Sequence, residues 1–464
     1  MEKQALIDRL KDIVDPEYVL TGEMDLTLYS YDSSMDRAMP DVVVLPASTE
    51  EVSGIMALCH KEKVPVLARG SGTNLTGGTI PTKGGVVIHF SRMNRILEID
   101  LPNRTATVQP GIFTLDFQNE VAKLGYVYQP DPASQKVSTI GGNVSENSGG
   151  PHCLKYGTTT NHVRGLEIVL DDGTVVETGG KAAGGPGYDI KGLMVGSEGT
   201  LGIVTKATLN LMKQAEAVKT MLAVFDSIQD GANTVSAVIA EGIIPACLEM
   251  MDNTMMRAVE ATLKVGYPLD AACVLIIELD GMPEGMEDNA SRIVDICKAN
   301  KVREVQVAET EAQRLGLWAG RKGAFGSVGQ IRPSYMCCDG TVPRTKLPEV
   351  LARVIEISKE FNLPIGNVFH AGDGNLHPLI LFDDRDEDEV ARVHKASSAI
   401  LKACVDAGGT ISGEHGVGLE KLRETRLIFC EEDLEFERNI KNAMDPKGII
   451  NHGKLIPEPT CAAA

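Results

Sequence analysis

Apolar positions recur along this chain in two rhythms, and the switches between them delimit its elements. The first 36 residues carry helical spacing and read as an amino-terminal helical arm. A strand–helix rhythm follows. Residues 42–45 (VVVL) form a short buried strand stopped by Pro46. Ser48 and Glu51 then make an S-x-x-E capping box, with Val52, Ile55, Met56 and Cys59 at helical spacing behind it. Residues 64–68 are a strand that enters a glycine-rich loop at Gly70, and residues 86–90 and 105–108 alternate like strands. Residues 166–178 read as two strands around an Asp-Asp-Gly-Thr turn. From about residue 217 glycine thins out. Strands such as 221–225 and 273–279 alternate there with helix-like segments, as in a smaller domain with an antiparallel sheet. The acidic run at 383–389 reads as a solvated loop and helix start, and no solenoid repeat is present.

Composition narrows the class. A chain of 464 residues exceeds what one core usually supports, which predicts two or three domains. Hydrophobic residues are 43% and aromatics only 4%, so the core must be built from Val, Ile, Leu, Ala and Met. A formal charge of −19 argues against nucleic acid, because a phosphate backbone needs a basic face. No stretch approaches the roughly 20 apolar residues of a membrane span. The run at 271–277 reads as a buried strand, and the amino terminus lacks a signal peptide's apolar centre. Ten scattered cysteines without a CxxC predict free thiols in a reducing cytoplasm and no iron–sulfur cluster on this chain.

Three loops of small residues carry the first candidate chemistry. VPVLARGSGTNLTGG (residues 64–78) follows a strand, and its successive N–H groups can form an anion nest. It is no P-loop, lacking Gly-Lys-Ser/Thr, and no Rossmann fingerprint, since Leu75 stands where the third glycine belongs. Taken alone, it serves equally well as a structural turn. A second loop (131–150) holds four glycines and seven Ser, Thr or Asn residues, and a third (196–209) ends in a strand. Three such loops suit a large ligand bound in extended form, a dinucleotide better than a mononucleotide.

A second constellation lies further on. His370 and His377 flank an AGDGNL turn that could fold both imidazoles toward one point, and Asp373 and Asp383 read as turn-formers. Two histidines alone also fit core or hydrogen-bonding roles. Glu414, in SGEHG, offers an anionic third ligand. Two imidazoles and one carboxylate leave coordination positions open, as at a catalytic zinc, iron(II) or manganese ion. His415 follows directly, with an imidazole that ordinarily titrates near neutrality.

These motifs, R-G-S-G-T-N-L-T-G-G, D-P-A-S, I-G-G-N, K-Y-G-T-T and G-S-E-G-T-L-G-I-V-T, resemble the FAD-binding domain of the vanillyl-alcohol oxidase/PCMH flavoprotein superfamily. HAGDGNLH, SGEHGVGLEK and DPKGIINHGK extend the resemblance to the branch holding D-lactate dehydrogenases, D-2-hydroxyglutarate dehydrogenase and the catalytic subunit of glycolate oxidase. The resemblance implies an α+β fold: an arm (1–36), a PCMH-type FAD-binding domain of two α/β subdomains (37–216), a cap domain with an antiparallel sheet and flanking helices (217–410), and a carboxyl-terminal segment returning to the flavin (411–464). It implies FAD contacts at Arg69, Gly70, Ser71, Gly72, Thr73, Asn74, Leu75, Gly77 and Gly78 in the first loop. The second loop adds Pro132, Ser134, Thr139, Gly141, Gly142, Asn143, Ser145, Gly149 and Gly150, and Tyr156, Gly157, Glu198, Gly199, Ile203 and Asn451 complete the set. No histidine or cysteine lies between Arg69 and Gly78, so the FAD is expected to be noncovalent.

The same resemblance implies a divalent metal (Fe2+, Zn2+ or Mn2+) on His370, His377 and Glu414, with His415 as the base that takes the substrate hydroxyl proton. Of Arg321 and Lys322, it favours Arg321 as the clamp on a substrate carboxylate, which a guanidinium grips bidentately. The 2-hydroxyglutarate enzymes carry a lysine for a distal carboxylate where this chain has Met336, Cys337 and Cys338. A small 2-hydroxy acid is therefore expected, D-lactate first and glycolate as the alternative. The expected electron acceptor is a partner protein, an electron-transferring flavoprotein or an iron–sulfur subunit. Two readings from other classes compete. A non-catalytic FAD-binding subunit predicts loss of the histidine motif, and a metal-dependent hydrolase predicts a colourless protein.

Overall fold

A computed structural model describes residues 2–182 and 184–459. The chain divides into two compact units. One comprises residues 1–149, 158–214 and 414–464, the other residues 150–157 and 215–413.

Besides a two-stranded ladder of Tyr126–Val127 with Met212–Lys213, the described residues of the first unit hold two larger sheets. In one, Val42–Val44 and Val66–Arg69 flank Val86–His89 in parallel, and Val19–Leu20 adds an antiparallel edge. The helix Thr49–Glu62 covers this sheet through Val52, Ile55, Met56 and Cys59, all fully buried. Its start uses half of the expected box: Ser48 Oγ accepts the Glu51 N–H at 3.3 Å, but the Glu51 carboxylate accepts the N–H of Ala47, one residue before the cap, at 2.8 Å. The amino-terminal arm is only partly helical. Lys3–Lys11 and Glu23–Thr27 are helices, but Pro16 opens a single 3-10 turn that delivers Val19 and Leu20 to the sheet edge. The second sheet is antiparallel, in the order Ile96–Asp100, Thr105–Val108, Ile203–Asn210, Val163–Val169, Val175–Gly179. Near the carboxyl terminus the chain rejoins the first sheet. The Val66 N–H donates to the Ile449 carbonyl at 2.7 Å and the Asn451 N–H to the Val66 carbonyl at 2.8 Å.

The second unit is one seven-stranded antiparallel sheet. Its order is Glu304–Val307, Ala217–Phe225, Cys273–Gly281, Cys247–Asp252, Ile365–His370, Pro378–Phe382, Ser334–Cys337. Helices cover both faces, which is why these strands read as continuous apolar runs rather than alternating ones. Along Ala217–Phe225, Met221, Ala223 and Phe225 enter one core, with Ile228–Ala240, Met286–Ala299 and Leu347–Glu360; Leu222 and Val224 enter the other, with Asn253–Thr262 and Glu311–Ser327. Residues on that second face include Met251 and Val368. By the two-residue period of a strand it also receives Glu249, Glu278 and His370. The acidic run at 383–389 passes through the Asp386 cap into the first turn of helix Glu387–Asp406.

Candidate active site

In the first unit the glycine loops face one cleft. Of the expected cofactor residues, Arg69, Gly70, Gly78, Thr139, Gly141, Gly142, Ser145, Glu198 and Gly199 line it together. The first loop leaves strand Val66–Arg69 without entering a helix, so no helix dipole serves it. Its shape is held from inside. The buried Arg69 guanidinium donates to the Tyr31 carbonyl at 2.6 Å and to Thr79 Oγ1 at 3.2 Å, and Asn74 Oδ1 accepts the Thr76 and Gly78 N–H groups at 2.9 and 2.7 Å. The second loop feeds helix Ile140–Glu146, capped by Thr139, whose hydroxyl accepts the Gly142 N–H at 3.3 Å. A Cβ at Gly70 would collide with Thr139 Oγ1, and one at Gly141 would lie 2.6 Å from Pro110 Cβ. The two loops therefore meet at Gly70 and Thr139 as closely as glycine permits, on the cleft that both line.

The remaining expected contacts are dispersed. Ser71 borders an adjoining cleft with Gly70 and Thr139, and that cleft is completed by His89, Phe90 and Asp116, which sequence reasoning missed. Ser134 closes a turn by accepting the Val137 and Ser138 N–H groups at 2.8 Å. Asn143 is buried and donates to Thr114 Oγ1, and Ile203 packs in the core of the parallel sheet. Gly150, Tyr156 and Gly157 belong to the second unit, where Tyr156 donates its hydroxyl to the Asp280 carboxylate at 2.6 Å.

The segment from Glu414 onward is tied to the first unit's loops. Glu198 accepts the N–H groups of Val417 at 2.6 Å and Gly418 at 2.8 Å, and Thr76 accepts that of Leu419 at 2.7 Å while its hydroxyl donates to the His415 carbonyl. Asn451 extends its side-chain amide to the carbonyls of Gly78 and Glu198, at 3.1 and 2.8 Å. Lys454 donates to Asn451 Oδ1 at 2.8 Å, and the fully buried Lys421 donates to the Gly416 carbonyl at 3.0 Å. Gly416 has φ +81°, and a Cβ there would lie 2.6 Å from both the Glu146 and Glu198 carboxylates. Burial, with Glu198 beside it, pushes the Glu146 carboxyl well above the carboxylate range. Burial also raises Glu198, against the pull of the Val417 and Gly418 N–H groups. His415 Nε2 stands 4.0 Å from Glu414 Oε1.

The second unit gathers the other candidates. His370 ends strand Ile365–His370, His377 precedes strand Pro378–Phe382, and the glycine turn between them sets their rings 5.0 Å apart and nearly perpendicular. Asp373 is a turn-former: its Oδ1 accepts the Asn375 N–H at 3.2 Å. Arg321 is not a surface charge on its helix but is 2% exposed, with Nε and Nη2 2.7 and 2.6 Å from Glu249 Oε2. The same carboxylate meets His370 Nδ1 at 2.9 and 3.0 Å. Burial opposes ionisation of Glu249, and the neighbouring His370 and Arg321 overcome it, holding the carboxyl below its ordinary value. Glu249 and Asp339 were both missed from sequence. Asp339, fully buried, accepts the Ser412 hydroxyl at 2.6 Å and the Gly413 N–H at 3.1 Å, and its Oδ1 is 3.7 Å from His377 Nδ1. That anchors the chain directly before Glu414. The sequence signal for both was an acid inside an otherwise apolar, buried stretch (CLEMMD, MCCD).

Among the described residues no helix is long and apolar enough to cross a membrane, and the nine described cysteines are free thiols. Residues 40–179 match the family described as FAD binding domain, and residues 214–455 match FAD linked oxidases, C-terminal domain. The glycolate oxidase subunit GlcD of Escherichia coli K12 is 42% identical over 98% of this chain and 92% of the relative. A D-lactate dehydrogenase of Anaerostipes hadrus is 32% identical over 97% of each chain. The solved structure of 4-ethylphenol oxidase from Gulosibacter chungangensis shares the fold, with a TM-score of 0.80 at 19% identity over 98% of this chain and 97% of that one.

Proposed function

The chain belongs to the FAD-linked oxidase family, and from that premise we propose that it is an FAD-dependent dehydrogenase of a small D-2-hydroxy acid, D-lactate being the first candidate. The observation that carries this reading is Arg321, a buried guanidinium held by Glu249 beside His370. A buried cation next to a pair of imidazoles suits a 2-hydroxy carboxylate, which offers a carboxylate for the first and a hydroxyl for the second.

The chain fits both groups that this chemistry requires. The glycine loops line one cleft, and at Gly70 and Gly141 the backbone packs too closely on Thr139 and Pro110 to admit a Cβ, which fits FAD. Two imidazoles with rings 5.0 Å apart are two of the nitrogen donors that Zn2+, Fe2+ or Mn2+ accepts, and the sequence motif offers Glu414 as the carboxylate to complete the set. When bound, the flavin supplies a hydride acceptor and the divalent ion a positive charge that acidifies the substrate hydroxyl. Arg321 binds the substrate carboxylate and so presents the C2 hydrogen in one orientation. His415 takes the hydroxyl proton, its position set by the Thr76 and Glu198 contacts to its own segment.

Glycolate is the second reading, favoured by the 42% identity to a glycolate oxidase subunit. Met336, Cys337 and Cys338, in place of a lysine, disfavour a dicarboxylate. The electrons then pass to a partner protein, an electron-transferring flavoprotein or an iron–sulfur subunit. The test is anaerobic: D-lactate, L-lactate, glycolate and D-2-hydroxyglutarate are each mixed with the purified yellow protein. Bleaching of the flavin bands by D-lactate is expected, bleaching by glycolate alone selects the second reading, and a spectrum unchanged by all four defeats both.

A further inference from the structure

We propose that Glu249 is the positioning residue of this site, orienting His370 and Arg321 through one carboxylate. The sheet register creates the arrangement. Cys247–Asp252 runs antiparallel to Ile365–His370 with Glu249 directly opposite His370, so both side chains leave the same face. Helix Glu311–Ser327 packs on that face and lowers Arg321 onto the same carboxylate from above.

Each contact has a directional consequence. A carboxylate at His370 Nδ1 selects the tautomer with the proton on Nδ1, which directs the lone pair of Nε2 away from the carboxylate as a ligand atom. The contacts at Nε and Nη2 fix the plane of the Arg321 guanidinium, and with it the direction of the remaining N–H groups. An ion pair serving stability alone would need only Arg321 and Glu249. The histidine on the same carboxylate links the metal ligand to the carboxylate clamp, so a distortion of one is transmitted to the other. With Glu249 1% exposed, water cannot substitute for it.

This inference rests on the reading of His370 as a metal ligand and Arg321 as the clamp, and the experiment separates the two. Wild type, Glu249→Gln and Glu249→Asp are purified with FAD, stripped with chelator and titrated with Zn2+; the KM for D-lactate is then measured at saturating Zn2+. Glu249→Gln is expected to keep its flavin spectrum, to bind Zn2+ between tenfold and a hundredfold more weakly, and to raise KM at least tenfold. Glu249→Asp should recover part of both losses. Zn2+ affinity and KM within twofold of wild type in a folded Glu249→Gln protein overturn the inference while leaving the metal reading intact. A wild-type protein that binds no Zn2+ overturns the metal reading, and the inference with it. Should Glu249→Gln fail to fold, selective 15N-histidine labelling of the wild type decides. A proton on His370 Nδ1 is expected, and the Nε2–H tautomer overturns the inference.

Discussion

The carboxylate of Glu198 accepts the backbone N–H of Val417 at 2.6 Å, across 219 positions of sequence. It takes the Gly418 N–H as well, so a residue of the third glycine loop holds the turn directly after His415. The flavin cleft and the proposed base therefore share one anchor.

Replacing Glu198 with alanine removes two hydrogen bonds to a charged acceptor, each contributing about 1.5–3 kcal/mol. Glu198→Ala should lower the apparent Tm and slow flavin reduction by D-lactate at least tenfold, with Glu198→Gln in between because it keeps one acceptor oxygen. Stopped-flow absorbance on FAD-loaded protein reads the rate. Wild-type reduction in Glu198→Ala would show that the turn holds itself.

What could be read from the sequence was local. Ser48 and Glu51 lie three residues apart, and the Ser48 half of the box they predict is formed, with Glu51 turning to Ala47 instead. Residues 221–225 announce a strand, and they lie in Ala217–Phe225, whose two faces enter two cores. Loops rich in glycine announce close backbone approach, and Gly70 and Gly141 make it. Glu249 was illegible because its partners are set by register: His370 is 121 positions away, and nothing inside CLEMMD says which strand lies opposite. The pairing of Asp339 with Ser412 and Gly413 was hidden for the same reason. Val19 and Leu20 were misread as helix because a two-residue strand has too few positions to show its period.

Gly72 has φ +73°, and a Cβ there would strike the Arg69 guanidinium, which is already committed to Tyr31 and Thr79. Gly72→Ala should therefore cost more than backbone strain alone, about 2 kcal/mol or above, and weaken FAD binding at least tenfold in reconstitution of the apoprotein. Gly125 is the control, with φ +76° and no atom within 4 Å of its Cβ position. Gly125→Ala should cost only about 1 kcal/mol and leave FAD affinity unchanged. Equal FAD affinity in the two variants would remove the first loop from the binding site.

His89 gives a pH dependence. Burial, reinforced by the Arg69 charge and opposed by a hydrogen bond with the Gly70 backbone, pulls its pKa from 6.5 down to about 4. Between those values the unfolded chain binds a proton that the folded protein does not, so stability rises with pH through this window and is lost as pH falls through it. The contribution is on the order of 3 kcal/mol. His89→Gln cannot titrate, and the drop in Tm between pH 7.5 and pH 4.5 should shrink. An unchanged drop would mean that His89 is protonated in the folded protein.

The sharpest separation of metal binding from flavin binding comes from His377. It is 2% exposed with its ring 5.0 Å from His370, while the clefts of the first unit are lined by no residue between 365 and 382. Removing its imidazole should therefore abolish divalent-metal binding without releasing FAD. His377→Ala also opens a cavity at a buried site and should lower Tm, so His377→Gln, which fills most of the space, is the cleaner variant. Both should be purified yellow, with one FAD per chain, and both should reduce flavin with D-lactate at least a hundredfold more slowly than wild type. Chelator treatment should slow the wild type to the same level, and Mn2+ or Zn2+ should restore the wild type but neither variant. A folded His377→Gln protein that loses its FAD would show that the imidazole supports the flavin cleft. A chelator-treated wild type at full rate would show that the histidine pair acts without a metal.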